Sequence, residues 1–148
     1  MMNSPSTASL RLHRVLKTSL YADDLDRTEA FSTSVLGLNC FANEASRHLF
    51  YKFADQTLLI FNPSKTAGEV ETGPHGTRGA GHVAFAVATS ELDGWNQRLE
   101  SHGVEIVRHM LWPNGARSVF FRDPAQNGIE LTSPVRWGMK EIAGIGTV

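Results

Sequence analysis

Apolar residues along this 148-residue chain follow two rhythms, and the order of those rhythms occurs twice. Residues 15–22 alternate with a period of two, which puts Leu16, Thr18 and Leu20 on one side of an extended segment and Lys17, Ser19 and Tyr21 on the other. Asp23-Asp24 then offers a helix N-cap, and Leu25, Thr28, Phe31 and Val35 recur at spacings of three and four until Gly37 stops them. The pattern predicts a short amphipathic helix over residues 24–36, packed on one face of a sheet. Extended segments follow at 38–43, 48–53 and 57–61, separated by polar turns. Residues 62–81 break the rhythm: five glycines and two prolines predict a loop without regular structure, a linker or a lid, and the most mobile internal part of the chain.

After that loop the first pattern returns. Residues 82–87 alternate as a strand, and Ser90-Glu-Leu-Asp93 has the form of a capping box. The helix it opens over 90–102 carries Leu92, Trp95, Leu99 and His102 before Gly103. Strands are predicted at 105–111, 117–122 and 128–132. Lys17 falls on His82 and Gly37 on Gly103 at an offset of about 65 residues, which marks an internal repeat. The expected fold is α+β: two βαβββ modules, each with one helix-covered sheet face. Their other faces are expected to join in a cupped mixed sheet of about eight strands around a shared cavity. The divisions that follow are an arm at 1–11 and a domain at 12–134, whose modules span 12–62 and 81–134 with the loop 63–80 between them. A tail at 135–148 completes the chain.

The candidate chemistry centres on Phe-Phe-Arg-Asp-Pro-Ala-Gln-Asn-Gly-Ile-Glu-Leu, residues 120–131, which reads as strand, tight turn and strand. Glu130 stands between Ile129 and Leu131, whose side chains share the opposite strand face. Glu130 is therefore either the polar residue of a half-buried strand or a carboxylate pointing into the space between the modules. By the same parity His82 shares a face with Ala84 and Ala86, two small residues that leave room beside an imidazole. Ser118 and Phe120 look inward on the seventh strand, as do Lys17, Ser19 and Tyr21 on the first. His13, His48, His102 and His109 read as surface or helix-end residues, and His75 lies in the loop with no spacing argument behind it.

Composition narrows the functional classes. A net charge of −1 with Lys and Arg scattered along the chain supplies no field for nucleic acid or for an anionic membrane. The single cysteine, Cys40, closes no intrachain disulfide and builds no Cys-rich zinc site, so a reducing, cytoplasmic setting is expected. No apolar run approaches ~18 residues, and the polar start lacks a signal-peptide core. Trp112, Trp137, Met139, Ile142 and Ile145 are more apolar surface than an unsupported tail should carry. That predicts packing of the tail on its own domain or on a partner, within a homodimer.

The words Leu-Tyr-Ala-Asp-Asp-Leu-Asp-Arg, Val-Leu-Gly-Leu, Gly-His-Val-Ala-Phe and Phe-Arg-Asp-Pro-Ala-Gln-Asn-Gly-Ile-Glu-Leu, set in the doubled βαβββ order, resemble the vicinal oxygen chelate superfamily over residues 12–134. Glyoxalase I, extradiol dioxygenases, fosfomycin-resistance enzymes and bleomycin-resistance binding proteins belong to it. The resemblance implies a metal-ligand position at His82 on the opening strand of the second module and another at Glu130. The matching position of the first module, commonly histidine, falls on Lys17, and the fourth, used by glyoxalase I, falls near Leu58. Gln126 stands where the family turn has Gly.

Two of the usual ligands thus remain, and three readings follow. In the first, the chain binds a small molecule, anionic in view of Lys17, Arg122 and His82. No metal is present, and the Lys17 ammonium pairs with Glu130; Lys17, Ser19, Tyr21, His82, Ser118, Phe120 and Glu130 line the site. In the second, His82 and Glu130 hold one divalent ion (Zn, Fe, Mn or Ni) in a glyoxalase-like or dioxygenase-like lyase, isomerase or oxygenase. In the third, a metal-free enzyme moves a proton with Glu130 or Lys17.

Overall fold

The computed structural model describes residues 12, 14–68, 75–76 and 79–144. The expected arm at 1–11, His13, Ile145 and part of the glycine-rich loop lie outside these residues. The chain runs β1 (Lys17–Tyr21), α1 (Leu25–Ser34), β2 (Cys40–Glu44), β3 (His48–Lys52), β4 (Thr57–Phe61) and α2 (Pro63–Thr66). It continues with β5 (His82–Ala86), α3 (Leu92–Ser101), β6 (Ile106–Leu111), β7 (Arg117–Arg122) and β8 (Gly128–Thr132). Helix α1 begins as its sequence requires, the Asp24 carboxylate accepting a bond from the Arg27 amide at 3.0 Å. It is followed by Gly37 at φ +69°, a left-handed conformation that only glycine adopts without cost.

Two local expectations are corrected. The capping box before α3 does not form: a 3-10 turn, Thr89–Glu91, leads into the helix, and Glu91 at the cap makes no side-chain cap bond. A carboxylate from the tail does that work instead, since Glu141 accepts bonds from Thr89 Oγ1 at 2.6 Å and from the Thr89 amide at 3.4 Å. The loop after β4 is not wholly irregular either. Asn62 caps a single helical turn with Pro63 in its first positions, and Thr66 within it is fully buried. Four residues are too few for a helical period to register in the sequence.

The strands form two four-stranded mixed sheets, in the orders β1-β4-β3-β2 and β5-β8-β7-β6, with no ladder between them. In each the first and last strands of the module run parallel and the remaining pairs antiparallel. The repeat extends to an irregularity: both modules shift register at matching places, between Cys40 and Ala42 and between Ile106 and Arg108.

Each sheet has an inner face, toward the helices, and an outer face. Leu20, Leu49, Tyr51, Leu58 and Ile60 make the inner core of the first module, and Leu92, Leu99, Val119, Phe121, Ile129 and Leu131 that of the second. Val83 and Phe85 of β5 pack against both cores. Phe31 of α1 meets Phe121 at 6.4 Å between ring centroids, and the Arg98 guanidinium of α3 donates to the carbonyls of Val35 and Ser34 at 2.7 and 3.1 Å. The modules are thus joined through their inner faces.

That junction relocates the cavity expected between them. A space of about 390 Å³ does lie between the modules, but its walls are inner-face residues such as Leu38, Phe53, Leu58, Val83, Phe85 and Trp95. On the outer faces Lys17, His82, Ala84 and Ala86 are exposed, and neither His82 nor Glu130 lines any of the three main cavities among the described residues. Among the described residues of one chain, the outer faces do not enclose a common site.

Candidate functional site

His82 opens β5 and Glu130 occupies the middle of β8, and the parallel register sets His82 beside Gly128 and Ala84 beside Glu130. Strand alternation sends both side chains to the outer face, where His82 Nε2 lies 3.3 Å from Glu130 Oε2. A Cβ on Gly128 would sit 3.0 Å from His82 Nδ1, so glycine there leaves the width the imidazole needs. Glu130 is 8% exposed, whereas the His82 side chain is about half open to solvent. The pair therefore has a sheltered acceptor at its base and an imidazole at its rim. Phe120, the β7 partner of Glu130, brings its ring to 6.3 Å from the imidazole and forms an apolar wall.

The turn before β8 fixes this geometry. Asn127 is buried, and its Nδ2 donates to Asp123 Oδ2 at 3.0 Å and to the Tyr21 carbonyl at 3.0 Å. Its Oδ1 accepts from the Gly81 amide at 2.7 Å, and its own amide donates to Asp123 Oδ1 at 2.8 Å. One side chain thereby ties the end of β1 to the residue just before His82 and to the start of β8. Burial raises the Asp123 pKa above the usual carboxylate range, and the bonds from Asn127 and from the Ala125 backbone work the other way. Gln126, the position for which the resemblance implies Gly, takes φ +68°, a left-handed conformation that is uncommon for a residue with a side chain.

Ser118 shares the outer face but is not open to a ligand. Its hydroxyl accepts from Trp112 Nε1 at 2.9 Å and donates to Thr132 Oγ1 at 2.8 Å, and the residue is 3% exposed. The hydroxyl is used to hold the Trp112 indole on this face.

On the first module Lys17, Ser19 and Tyr21 face outward from β1, as parity requires. The expected ion pair between Lys17 and Glu130 is absent: Lys17 is exposed, and the carboxylate is paired with His82. Inner-face packing of the modules is the reason, because it leaves the two outer faces without a shared space. Leu58 is also corrected as the fourth position. It points into the inner core at 5% exposure, and its neighbour Leu59, which pairs with Ser19 as Glu130 pairs with Ala84, holds the repeat-equivalent place.

Tyr21 packs its ring on Gly76, and its hydroxyl is buried without a hydrogen-bond partner. His48 is a further correction, since it is no surface residue. It stacks on Phe50 at 4.0 Å, near Phe61, and His75 packs 4.9 Å from the Phe61 ring. Burial lowers the His48 pKa; Glu44 opposes that shift and Arg47, whose Nη1 lies 2.8 Å from His48 Nδ1, adds to it. The alternation of His48, Phe50 and Lys52 against Leu49 and Tyr51 was the available signal. His102 and His109 are exposed, as expected.

The donor set does not fit a three-ligand metal site within one chain. His82 and Glu130 offer one nitrogen and one carboxylate, and no group of three His, Cys, Asp or Glu side chains among the described residues is arranged to hold an ion. The outer-face positions that would complete it carry an ammonium at Lys17 and a hydrocarbon at Leu59.

Known proteins agree with this architecture. The family model of the Glyoxalase/Bleomycin resistance protein/Dioxygenase superfamily matches residues 11–131. A lactoylglutathione lyase from Agrobacterium tumefaciens shares 34% identity with a TM-score of 0.82, covering 88% of this chain and all of that one. MhqE of Bacillus subtilis (strain 168), provisionally named a ring-cleaving dioxygenase, is 27% identical over 141 residues, 88% of this chain; the chain spans only 43% of the length of that relative. A variant of the fosfomycin resistance protein FosX from Listeria monocytogenes, solved with Mn(II) and 1S,2S-dihydroxypropylphosphonic acid, shares the fold at TM-score 0.63 and 22% identity; 83% of this chain and 91% of that one are covered.

Proposed function

We propose, from the premise that this chain belongs to the glyoxalase/bleomycin resistance protein/dioxygenase superfamily, that it is a small-molecule-binding member without a complete metal triad. Its ligand sits on the His82–Glu130 pair, against Phe120. The observation that supports this reading is the donor set itself: His82 and Glu130, 3.3 Å apart, supply one nitrogen and one carboxylate, while the matching outer-face positions of the first module carry Lys17 and Leu59. Such a pair accepts a proton from, or donates one to, a bound hydroxyl or carbonyl compound, so a metal-free proton transfer by Glu130 through His82 is within its chemistry.

The pair lies open in a single chain, so the proposal includes a homodimer in which the outer face of one copy covers that of another. Supporting it are the exposure of Ala84 and Ala86 beside a sheltered Glu130 and of the large apolar side chain of Phe41, which meets Phe50 on the outer side of the first module. In that assembly Lys17 of a second copy is the natural cation to approach Glu130. Light scattering at micromolar concentration should give twice the chain mass, and a monomer would refute this part.

A metal-dependent lyase or dioxygenase remains the second reading, favoured by the full-length likeness to the Agrobacterium tumefaciens lactoylglutathione lyase. Elemental analysis of the purified protein separates the two. Substoichiometric zinc, iron, manganese and nickel, with ligand-induced thermal stabilisation untouched by a chelator, is expected. One tightly held divalent ion per chain would overturn the metal-free reading.

A further inference from the structure

Beyond the His82–Glu130 pair, the same outer face carries a cation that has no carboxylate partner among the described residues. Arg136 lies in the 3-10 turn Pro134–Trp137 that follows β8. Its guanidinium carbon is 4.1 Å from the centre of the Trp112 ring and 4.9 Å from that of Trp137. The Trp112 indole is anchored through Ser118 to Thr132, and the Ser118–Thr132 pair is the neighbour of the Phe120–Glu130 pair along the β7–β8 ladder. The backbone around the cation is fixed as well, because Asn114 Nδ2 on the β6–β7 turn donates to the Val135 carbonyl at 3.2 Å and lies 3.5 Å from that of Arg136.

Among the described residues no carboxylate lies within ion-pair distance of Arg136. Among the same residues its buried Nε has no partner and its two terminal nitrogens make no hydrogen bond. Two indoles therefore hold the guanidinium by cation–π contact, the half-buried Trp112 closer than the exposed Trp137, while among the described residues its terminal N–H donors are unused. Ordering a long arginine is the main cost of recruiting it to an anion, and here the aromatic contacts meet that cost in advance. A planar fork with a free edge matches a carboxylate or phosphonate bidentately.

We propose that Arg136 is the anion anchor of the ligand site and that the ligand is an aromatic or elongated organic monoanion, a carboxylate or phosphonate. Its charged end meets the Arg136 edge, and its uncharged polar end reaches toward His82 and Glu130. Thr132, to which the Trp112 indole is tied through Ser118, stands two residues along β8 from Glu130, about 7 Å, so the anchor lies beyond that interval and an elongated ligand is needed to reach both. The inference rests on the His82–Glu130 reading for the second contact only. The anchor itself follows from the stacked, unpaired guanidinium.

The test uses the full chain with 2-naphthoate as probe and 2-naphthalenemethanol as its uncharged counterpart, binding being read by indole fluorescence and calorimetry. Saturable naphthoate binding is expected, weakened about tenfold or more by Arg136→Gln and less by Arg136→Lys, with methanol-probe binding and the melting temperature little changed. Loss of both probes together in Arg136→Gln would show a structural staple and overturn the proposal, as would equal naphthoate affinity in Arg136→Gln or no saturable naphthoate binding to the unmodified chain. If naphthoate depends on Arg136 but not on Glu130→Gln, the shared site is refuted. If it depends on Glu130→Gln but not on Arg136, the anchor falls and the His82–Glu130 reading stands.

Discussion

Replacing Asn127 by Ala should damage both stability and the site, and the structure allows the size to be worked out. The amide side chain serves three partners: it donates to Tyr21 O and Asp123 Oδ2 and accepts from Gly81 N, at 3.0, 3.0 and 2.7 Å. Asn127 is 1% exposed, so in the alanine variant those groups lose their partner where water reaches them poorly. An orphaned buried polar group costs about 1–3 kcal/mol, more when charged, and partial entry of water into the vacated space recovers some of it. The sum is a loss of about 3–5 kcal/mol, a large share of the stability of a domain this size. Urea unfolding followed by tryptophan fluorescence, analysed with a common slope, measures it directly. Because Gly81 precedes His82 and Tyr21 ends β1, ligand affinity should fall as well, even at low temperature where the variant remains folded. A stability loss below about 1 kcal/mol with unaltered binding would show that Asn127 does not clamp the modules, and the account of how the pair is positioned would be wrong.

Three further outcomes follow from the same contacts. Asp123 has a raised pKa in the folded chain, so the folded state holds its proton more tightly than the unfolded one. Stability from this group is present below pH 3.8 and is lost as pH rises from there through the folded value, so Asp123→Asn should flatten the stability profile across that window; an unchanged slope would contradict the assignment. Ser118→Ala leaves the Trp112 Nε1 donor without its acceptor and removes one of the two bonds at the Thr132 hydroxyl, which still donates to the Arg117 carbonyl, and should cost about 2 kcal/mol in urea unfolding, with a shift in indole emission. Lys17→His should raise zinc affinity in calorimetry only if a second copy brings residue 17 to the His82–Glu130 pair, so an increase that persists in a monomeric variant would disprove the dimeric site.

The doubled βαβββ order, all eight strands, both long helices and the shared face of His82 and Glu130 were legible in the sequence. Each depends on short-range rules: a period of two along strands, spacings of three and four in helices, and glycine where φ turns positive. A pattern that repeats about every 65 residues also requires two similar modules, whatever their mutual placement. That placement is what only the tertiary structure decided. Alternation assigns Val83 and Phe85 to one face and His82 to the other, but it does not say which faces of two modules meet. Here Phe31, Val83, Phe85 and Arg98 join the inner faces. The intermodule cavity therefore lies opposite the His82–Glu130 pair, and Lys17 is left in solvent rather than on Glu130. Contacts across long separations escaped the reading for the same reason. Glu141 takes over the cap expected of Ser90-Glu-Leu-Asp93, Trp112 uses up the Ser118 hydroxyl, and His48 is held between Phe50 and Arg47. Hydrogen bonds and ring stacking carry no period along the chain, so their partners are set by packing and emerge only once the sheets are folded against their helices.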